Sequence, residues 1–291
     1  MRQARPEARA NRPGMIDRIK IISWNVCRST GAWQVLIDDG VDLALLQEAQ
    51  APPAHLAQDI QTDAAPWVTG GSGNRKWRAA VAGLSDRVRV TPWSPTSLGS
   101  PESGALPVSL MGSLAVADVE LADTGESITV VSMYGTWERP VVSSSWIYAD
   151  ASVHRLISDL SALIGSQSGH RMIVAGDLNI LKGHGEKGSP YWAGRYASVF
   201  SRMESLGLSF VGPQAPDGGC QADPWPAELP DDSRNVPTFR TSLVQCETAT
   251  RQLDFVFASD TLKPRLRVCA LNSPYDWGPS DHCRVLIELR P

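Results

Sequence analysis

Apolar residues along the 291-residue chain recur with two periods. Alternation or short apolar runs predict strands at residues 18–26 (RIKIISWNV), 41–46, 79–84, 88–93, 113–121, 127–133, 172–175, 252–258, 266–271 and 284–289. The run at 41–46 is more continuously apolar, which suits a strand buried on both faces. A 3.6-residue period predicts a helix over 148–164, with Val153, Leu156, Ile157, Leu160, Leu163 and Ile164 on one face and Gly165 closing it. Shorter helices are expected at 32–39, closed by Gly40, at 54–60 and at 197–206. Ser85-Asp86-Arg87 and Asp123-Thr124-Gly125 each read as the turn of a hairpin. Loops are expected at 94–104, 134–145, 184–194 and 214–236. Hairpins mixed with a few helices predict an α/β (α+β) protein built of two packed sheets with helices outside.

Composition narrows the picture. Hydrophobic residues make up 42% and charged residues 20%, as in ordinary globular proteins. No apolar run approaches the roughly 18 residues of a membrane span, so no membrane insertion is expected. The net charge of −4 gives no bulk attraction for a polyanion, which would need a local basic patch or a metal ion. Five cysteines, an odd and sparse set without a C-x-x-C pair, argue against a zinc site and suit a reducing, cytoplasmic setting; a Cys220–Cys246 bridge stays open. Residues 1–14 carry four arginines and no apolar core, and read as a disordered extension before one domain at 15–291.

Candidate chemistry gathers where the strands end. The central run Met172-Ile173-Val174-Ala175-Gly176 leads into Asp177-Leu178-Asn179. In extended backbone, residues 177 and 179 point to one side, although an acid and an amide after a strand also make turns. Other predicted strands end or begin at Asn25, Glu48, Asp254, and Asp281 with His282. Carboxylates gathered in one place repel, and a hard divalent cation relieves that repulsion. Oxygen donors without thiolates favour Mg²⁺ or Mn²⁺. Metal, phosphate and an acid–histidine pair together suggest phosphoester hydrolysis.

The order Trp24-Asn25, Gln47-Glu48, Gly176-Asp177-Leu178-Asn179, Leu253-Asp254-Phe255-Val256-Phe257 and Ser280-Asp281-His282 resembles the endonuclease/exonuclease/phosphatase superfamily. Pro237-Thr238-Phe239 is similar to a secondary motif of that group. The resemblance implies a four-layer sandwich, with two mostly antiparallel β-sheets face to face and flanked by helices. It also implies site roles. Glu48 is similar to the principal metal ligand, with Asn25 beside it and Asp281 helping to hold the metal. Asp177 resembles the residue that orients or deprotonates the attacking water. Asn179 would hold the scissile phosphate or a metal-bound oxygen, and His282 would contact the phosphate with Asp254 as its carboxylate partner.

Two positions depart from relatives. Where several members carry a second histidine, this chain has Tyr134-Gly135, so the candidate acids for the leaving oxygen are Tyr134 and a metal-bound water. Where the apurinic enzymes carry an aspartate two residues after the first-strand asparagine, this chain has Cys27. Arg75, Lys76, Trp137 and His184 are candidate substrate contacts; loop aromatics such as Tyr148 and Trp192 suit the pinning of long loops better than base stacking. The expected function is divalent-metal-dependent phosphodiester hydrolysis by activated water, with nucleic acid as substrate and Mg²⁺ (or Mn²⁺) as cofactor; no protein partner is called for. The alternative is a phosphatase or sphingomyelinase-like enzyme acting on inositol phosphate or lipid head groups. A non-catalytic binding module would not need this set of acids.

Overall fold

Strand β1 (Ile19–Asn25) is almost wholly buried because strands flank it on both sides and apolar layers lie above and below it. In the computed structural model, residues 18–63, 66–69, 75–139, 147–165, 169–243 and 245–290 are described; the expected 1–14 extension lies outside them. Helix α1 (Ala32–Asp38) carries the chain from β1 to β2 (Leu43–Ala49), which lies parallel to β1. The short β3 (Gln61–Thr62) and β4 (Arg78–Gly83) then add antiparallel. The chain crosses over at β5 (Val88–Pro92), makes a small parallel ribbon from β6 (Pro95–Ser97) and β7 (Leu106–Val108), and runs through β8 (Leu114–Leu121) and β9 (Glu126–Tyr134). Helix α2 (Asp150–Ser161) leads to β10 (Met172–Asp177), parallel to β9, and α3 (Pro190–Ser205) leads to β11 (Leu208–Gly212). A two-stranded ribbon of β12 (Phe239–Arg240) and β13 (Ala249–Arg251) precedes β14 (Asp254–Ser259), β15 (Leu266–Leu271) and β16 (Arg284–Leu289).

Two six-stranded sheets result, ordered β15-β16-β1-β2-β4-β3 and β11-β14-β10-β9-β8-β5. Their facing sides share one apolar layer, in which Ile21, Leu45 and Val81 meet Ala117, Val130, Ile173 and Val256. Trp33 and Leu36 of α1 cover the outer face of the first sheet against Trp24 and Leu46. Val153 and Leu156 of α2, with Tyr196 and Val199 of α3, cover the second against Met133, Val174 and Phe255. The expected α/β (α+β) sandwich of mostly antiparallel sheets is therefore the observed one. Among the described residues no helix is long and apolar enough to cross a membrane.

Each sheet has a parallel pair at its centre, β1 with β2 and β9 with β10, while β14 and β16 run against them. The ends of the first four and the beginnings of the last two therefore share one edge of the sandwich. That edge holds the site.

Several expected elements differ. Residues 79–84 and 88–93 do not form a hairpin: β4 pairs with β2 and β5 with β8. None of Ser85, Asp86 and Arg87 takes the positive φ that two-residue hairpin turns require. Ser85 Oγ and Arg87 Nη1 instead donate to the Asp42 carboxylate, at 2.7 and 3.1 Å, and hold the corner at which the chain changes sheets. The expected helix at 54–60 is a single 3₁₀ turn, Ala57–Asp59; so short an exposed segment cannot offset the cost of helix nucleation. Helix α3 begins at Pro190, not at 197, because proline is well suited to a first helical turn; this puts Tyr191 and Trp192 on the helix, outside the predicted 184–194 loop. Cys220 is an exposed free thiol.

Gly176 is needed for packing, since a Cβ there would sit 1.9 Å from the Met133 carbonyl oxygen on β9. We expect Gly176→Ala to force β10 away from β9, lower unfolding free energy by about 2–4 kcal/mol and displace Asp177. Urea denaturation checks this; a loss below about 0.5 kcal/mol overturns it.

Candidate active site

Three polar side chains stand side by side on the second sheet. Asp177 ends β10, with Tyr134 its register partner on β9 and Asp254 its partner on β14. Being in register, all three side chains leave the same face, toward the first sheet. The first sheet answers from β1 and β2. Asn25 Nδ2 donates to Asp177 Oδ2 at 2.9 Å, and the Tyr134 hydroxyl donates to Glu48 Oε1 at 3.0 Å. Below them, Gln47 Nε2 donates to Ser132 Oγ at 3.0 Å and joins the sheets again.

His282 arrives on the segment before β16. Ser280 Oγ donates to the Asn25 carbonyl at 2.6 Å, and Trp24 Nε1 donates to the His282 carbonyl at 2.9 Å, which fastens the segment to β1. Its Nδ1 lies 2.8 Å from Asp254 Oδ2 and its Nε2 lies 3.7 Å from Asp177 Oδ2. Thr238 Oγ1 accepts the backbone N–H groups of Leu253 and Asp254, at 3.0 and 3.1 Å, and so fixes the start of β14.

Burial and mutual charge set the protonation states. Burial pushes the Asp177 carboxyl up to about 7; His282 and the Asn25 and Asn179 donors oppose the rise, and Asp254 adds to it. Burial alone would lower the His282 imidazolium, but Asp254 and Asp177 outweigh it and raise the group to about 10. Burial, with Glu48 and Asp177 nearby, raises the Tyr134 phenol, so it stays protonated.

Asn179 reaches the site by a turn, not by continued strand. Its φ is 51°, its N–H donates to Asp177 Oδ1 at 2.9 Å, and its Nδ2 donates to Asp177 Oδ2 and to the Gly135 carbonyl. Asp177 and Asn179 thus make a turn and also line the cavity described below. Glu48 is likewise re-aimed, with φ 50° at a break in the β2–β4 register.

A cavity of about 140 Å³ collects Asn25, Glu48, Tyr134, Trp137, Asp177, Asn179, Asp254's neighbour Leu253, Asp281 and His282, with Phe239 and Arg251 on its rim. Its donors suit a hard divalent cation: Glu48, Asp281 and Asn25 offer oxygen only. The fields of Glu48 and Asp281 are both felt at Cys27 and at Arg28, so both carboxylates face that loop. Among the described residues, the set of three His, Cys, Asp or Glu donors lying within 4.8 Å of one another is Asp177, Asp254 and His282. Its histidine is already committed to Asp254, which makes the set a proton-holding chain as readily as an ion cage.

The remaining predicted contacts fall farther out. Trp137 lines the cavity and is 38% exposed. Arg75 lies behind Trp77, its guanidinium 4.3 Å from that ring, which packs edge-on against Tyr134. Lys76 is exposed beside it. His184 is half-buried in the wall, hydrogen-bonded to the Lys182 carbonyl at 3.1 Å, and does not line the cavity. Tyr148 and Trp192 pack in the apolar layer under α2 and α3, as pinning residues do. Sequence reasoning gave no role to Arg251, Arg28 or Leu253. Phe239 was marked by Pro237-Thr238-Phe239, but nothing in the spacing singled out Arg251.

The model of the endonuclease/exonuclease/phosphatase family matches residues 22–282. Among solved structures, the AP endonuclease LMAP from Leishmania major is 14% identical with a TM-score of 0.60, covering 94% of this chain and 88% of that one. The endonuclease domain of TRAS1, a telomere-specific non-LTR retrotransposon, is 16% identical with a TM-score of 0.57, covering 94% and 98%. The human nocturnin catalytic domain with bound sulfate anion is 15% identical with a TM-score of 0.55, covering 94% and 93%. At these identities the likeness is one of fold. No curated protein sequence matches the chain.

The raised His282 has a consequence for stability. The fold holds this proton more tightly than the unfolded chain, so its contribution is fully present below about pH 6.5 and is lost as pH rises through about 10. Asp177, also raised, acts in the same direction between about pH 4 and about 7. Unfolding free energy in EDTA is expected to fall by on the order of a few kcal/mol from about pH 7 to about pH 10. Asp254→Asn removes the main charge holding the proton and should flatten that slope. Urea titrations across this range decide it, and a slope left unchanged by Asp254→Asn sinks the assignment.

Proposed function

Because the chain belongs to the endonuclease/exonuclease/phosphatase family, which includes metal-dependent nucleases and phosphatases, we propose that it is a divalent-metal-dependent phosphodiesterase that hydrolyses nucleic acid. The observation that carries this reading is the buried Asp177–His282–Asp254 chain opening onto a cavity lined by Glu48, Asn25 and Asp281. A scaffold gains nothing from burying such a set, because unpaired charges in the interior are costly.

Glu48, Asn25 and Asp281 would hold the ion, Mg²⁺ or Mn²⁺ by the chemistry of their oxygens. When bound, it supplies Lewis acidity, drawing charge from a phosphate oxygen and easing ionisation of a nearby water. Asp177 orients the attacking water and takes its proton; the Asn25 and Asn179 amides hold the carboxylate in place. His282, kept protonated by Asp254, donates from Nε2 to the oxygens on which negative charge develops. Asp254 fixes the ring's tautomer and orientation, as the third member of a relay does. Asn179, whose Nδ2 donates to Asp177 and to the Gly135 carbonyl, would hold the scissile phosphate by turning one of those donors to it. Tyr134 keeps its proton and orients Glu48; it can serve the leaving oxygen only by giving up that bond.

The nucleic-acid preference is supported by the nuclease names of two structural neighbours and by the half-exposed Trp137 in the cavity lining. The test is cleavage of supercoiled plasmid and of a single-stranded oligonucleotide in Mg²⁺, Mn²⁺ or EDTA. Wild type should cut only with metal, and Asp177→Ala should lose at least about a hundredfold in rate. Well-folded wild type that cuts neither substrate sinks the nucleic-acid reading and directs a phosphate-release screen to inositol phosphates. Tyr134→Phe should raise the metal concentration needed for half-maximal rate several-fold while leaving the plateau nearer to wild type. An equal loss at saturating metal would instead give Tyr134 a direct part in the chemistry.

A further inference from the structure

The cavity is rich in acid. Glu48, Asp177 and Asp281 line it, with Asp254 directly behind His282. A phosphate entering such a space needs fixed positive charge from the protein. Apart from His282, Arg251 is the one cationic side chain among the described residues that line it.

Arg251 is set there by backbone register. It is the cross-strand partner of Phe239 in the β12–β13 ribbon, and Phe239 is in turn bridged antiparallel to His282. Arg251, Phe239 and His282 thus form one lateral row across three neighbouring segments, with side chains on a common face. The Phe239 ring lies 5.1 Å from the His282 ring, centroid to centroid. Two strand spacings separate the backbones of Arg251 and His282 by about 10 Å. With the backbones that far apart and both side chains lining one cavity, Arg251 and His282 offer two separate points of positive charge, room for a phosphate next to the one on His282.

The guanidinium is also held in advance. It pairs with Glu186, on the wall between β10 and α3, and Glu186 accepts a second bond from the Tyr196 hydroxyl at 3.5 Å. Glu186 occupies one edge of the fork, and the side chain remains 32% exposed while lining the cavity. A planar fork anchored on one edge keeps N–H donors directed for a phosphate while losing little rotamer freedom on binding.

We propose that Arg251, positioned by Glu186, is a specificity-determining contact for a second phosphate next to the scissile one. This rests on the phosphodiesterase reading of the same site. The shared chemistry has two sources: the neighbouring phosphate of a nucleic-acid strand, or the second phosphate of a polyphosphorylated small molecule. A diester with a single phosphate does not use the contact.

Binding is measured first, by fluorescence anisotropy of a labelled single-stranded oligonucleotide in an Asp177→Asn background with Mg²⁺. Adding Arg251→Ala should weaken binding about tenfold and reduce the slope of log affinity against log salt by about 0.7. Arg251→Lys should recover the slope but only part of the affinity, since it restores charge without the fork. Glu186→Gln should weaken binding two- to threefold. Turnover is then compared on the oligonucleotide, on an inositol bisphosphate and on bis(p-nitrophenyl) phosphate. Arg251→Ala should raise KM about tenfold on whichever two-phosphate substrate wild type accepts, and change bis(p-nitrophenyl) phosphate hydrolysis less than twofold. Equal losses on one- and two-phosphate substrates would put Arg251 on the scissile phosphate and overturn the proposal. Unchanged oligonucleotide and inositol bisphosphate affinity overturns it as well. Wild type that hydrolyses the inositol bisphosphate but not the oligonucleotide overturns the nucleic-acid reading alone and leaves the Arg251 comparison decisive on the other arm.

Discussion

Two carboxylates and a histidine buried in the seam between two sheets constrain the rest of the molecule. Asp177, Asp254 and His282 are each under 5% exposed, and isolated charges so placed would cost far more than a domain's net stability. They are tolerable only because each is the partner of the others, with Asn25 and Asn179 donating into the same acid. Pairing of that kind fails if either sheet slides. The seam is accordingly fastened by Gln47 to Ser132 and by Tyr134 to Glu48, while within the first sheet Ser280 and Trp24 tie the segment carrying His282 to β1. These bonds cross between segments far apart in sequence, so the site and the sandwich form together.

The backbone bends to meet this constraint. Cys27, Arg28, Glu48 and Asn179, all at the same edge, take left-handed conformations that residues with a Cβ rarely adopt. Such conformations persist where the surroundings over-determine them. Arg28 N–H donates to the Glu48 carbonyl at 3.1 Å, so two of these residues hold each other. Asn179 is held by three bonds to Asp177 and Gly135. Gly135 and Gly176 answer the opposite need: backbone passes so close, at Leu178 and Met133, that no side chain fits.

Much of this was legible in the sequence because the buried strands carry their own signature. Residues 18–26 and 113–133 alternate or run apolar, and the polar residues that break the pattern at Asn25, Glu48, Asp177 and Asp254 are the ones the sheets bring together. The misreadings share one cause. Residues 79–93 look like a hairpin because each half is a good strand, but only tertiary contacts through Asp42 show that the halves belong to different sheets. Strands β12 and β13 are too short to show a period at all. Arg251 acquires its place from their register and from Glu186, 65 residues away, and neither is written in local spacing. Arg75 and Lys76 carry the stronger local signal of a basic cluster, yet neither lines the cavity, and the Arg75 guanidinium rests against the Trp77 ring.

The same register bears on how an acidic protein can take an anionic substrate. Net charge is −4, and the cavity itself adds to the deficit of positive charge. On the proposed reading, a cation held by Glu48 and Asp281 would lower the repulsion felt by a phosphate, and a phosphate in the cavity would lower the repulsion among the acids that hold the cation. Each therefore strengthens the other's binding by the same factor. His282 takes part without adding to the deficit: with Asp254 it is close to neutral as a pair, yet it keeps an N–H directed at Asp177 and the cavity. The Arg251–Glu186 pair repeats that design one row out, an arginine balanced by an acid with donors left over. Paired cations of this kind would let the site recognise phosphate by direction as well as by charge, so a cavity need not be basic to bind an anion.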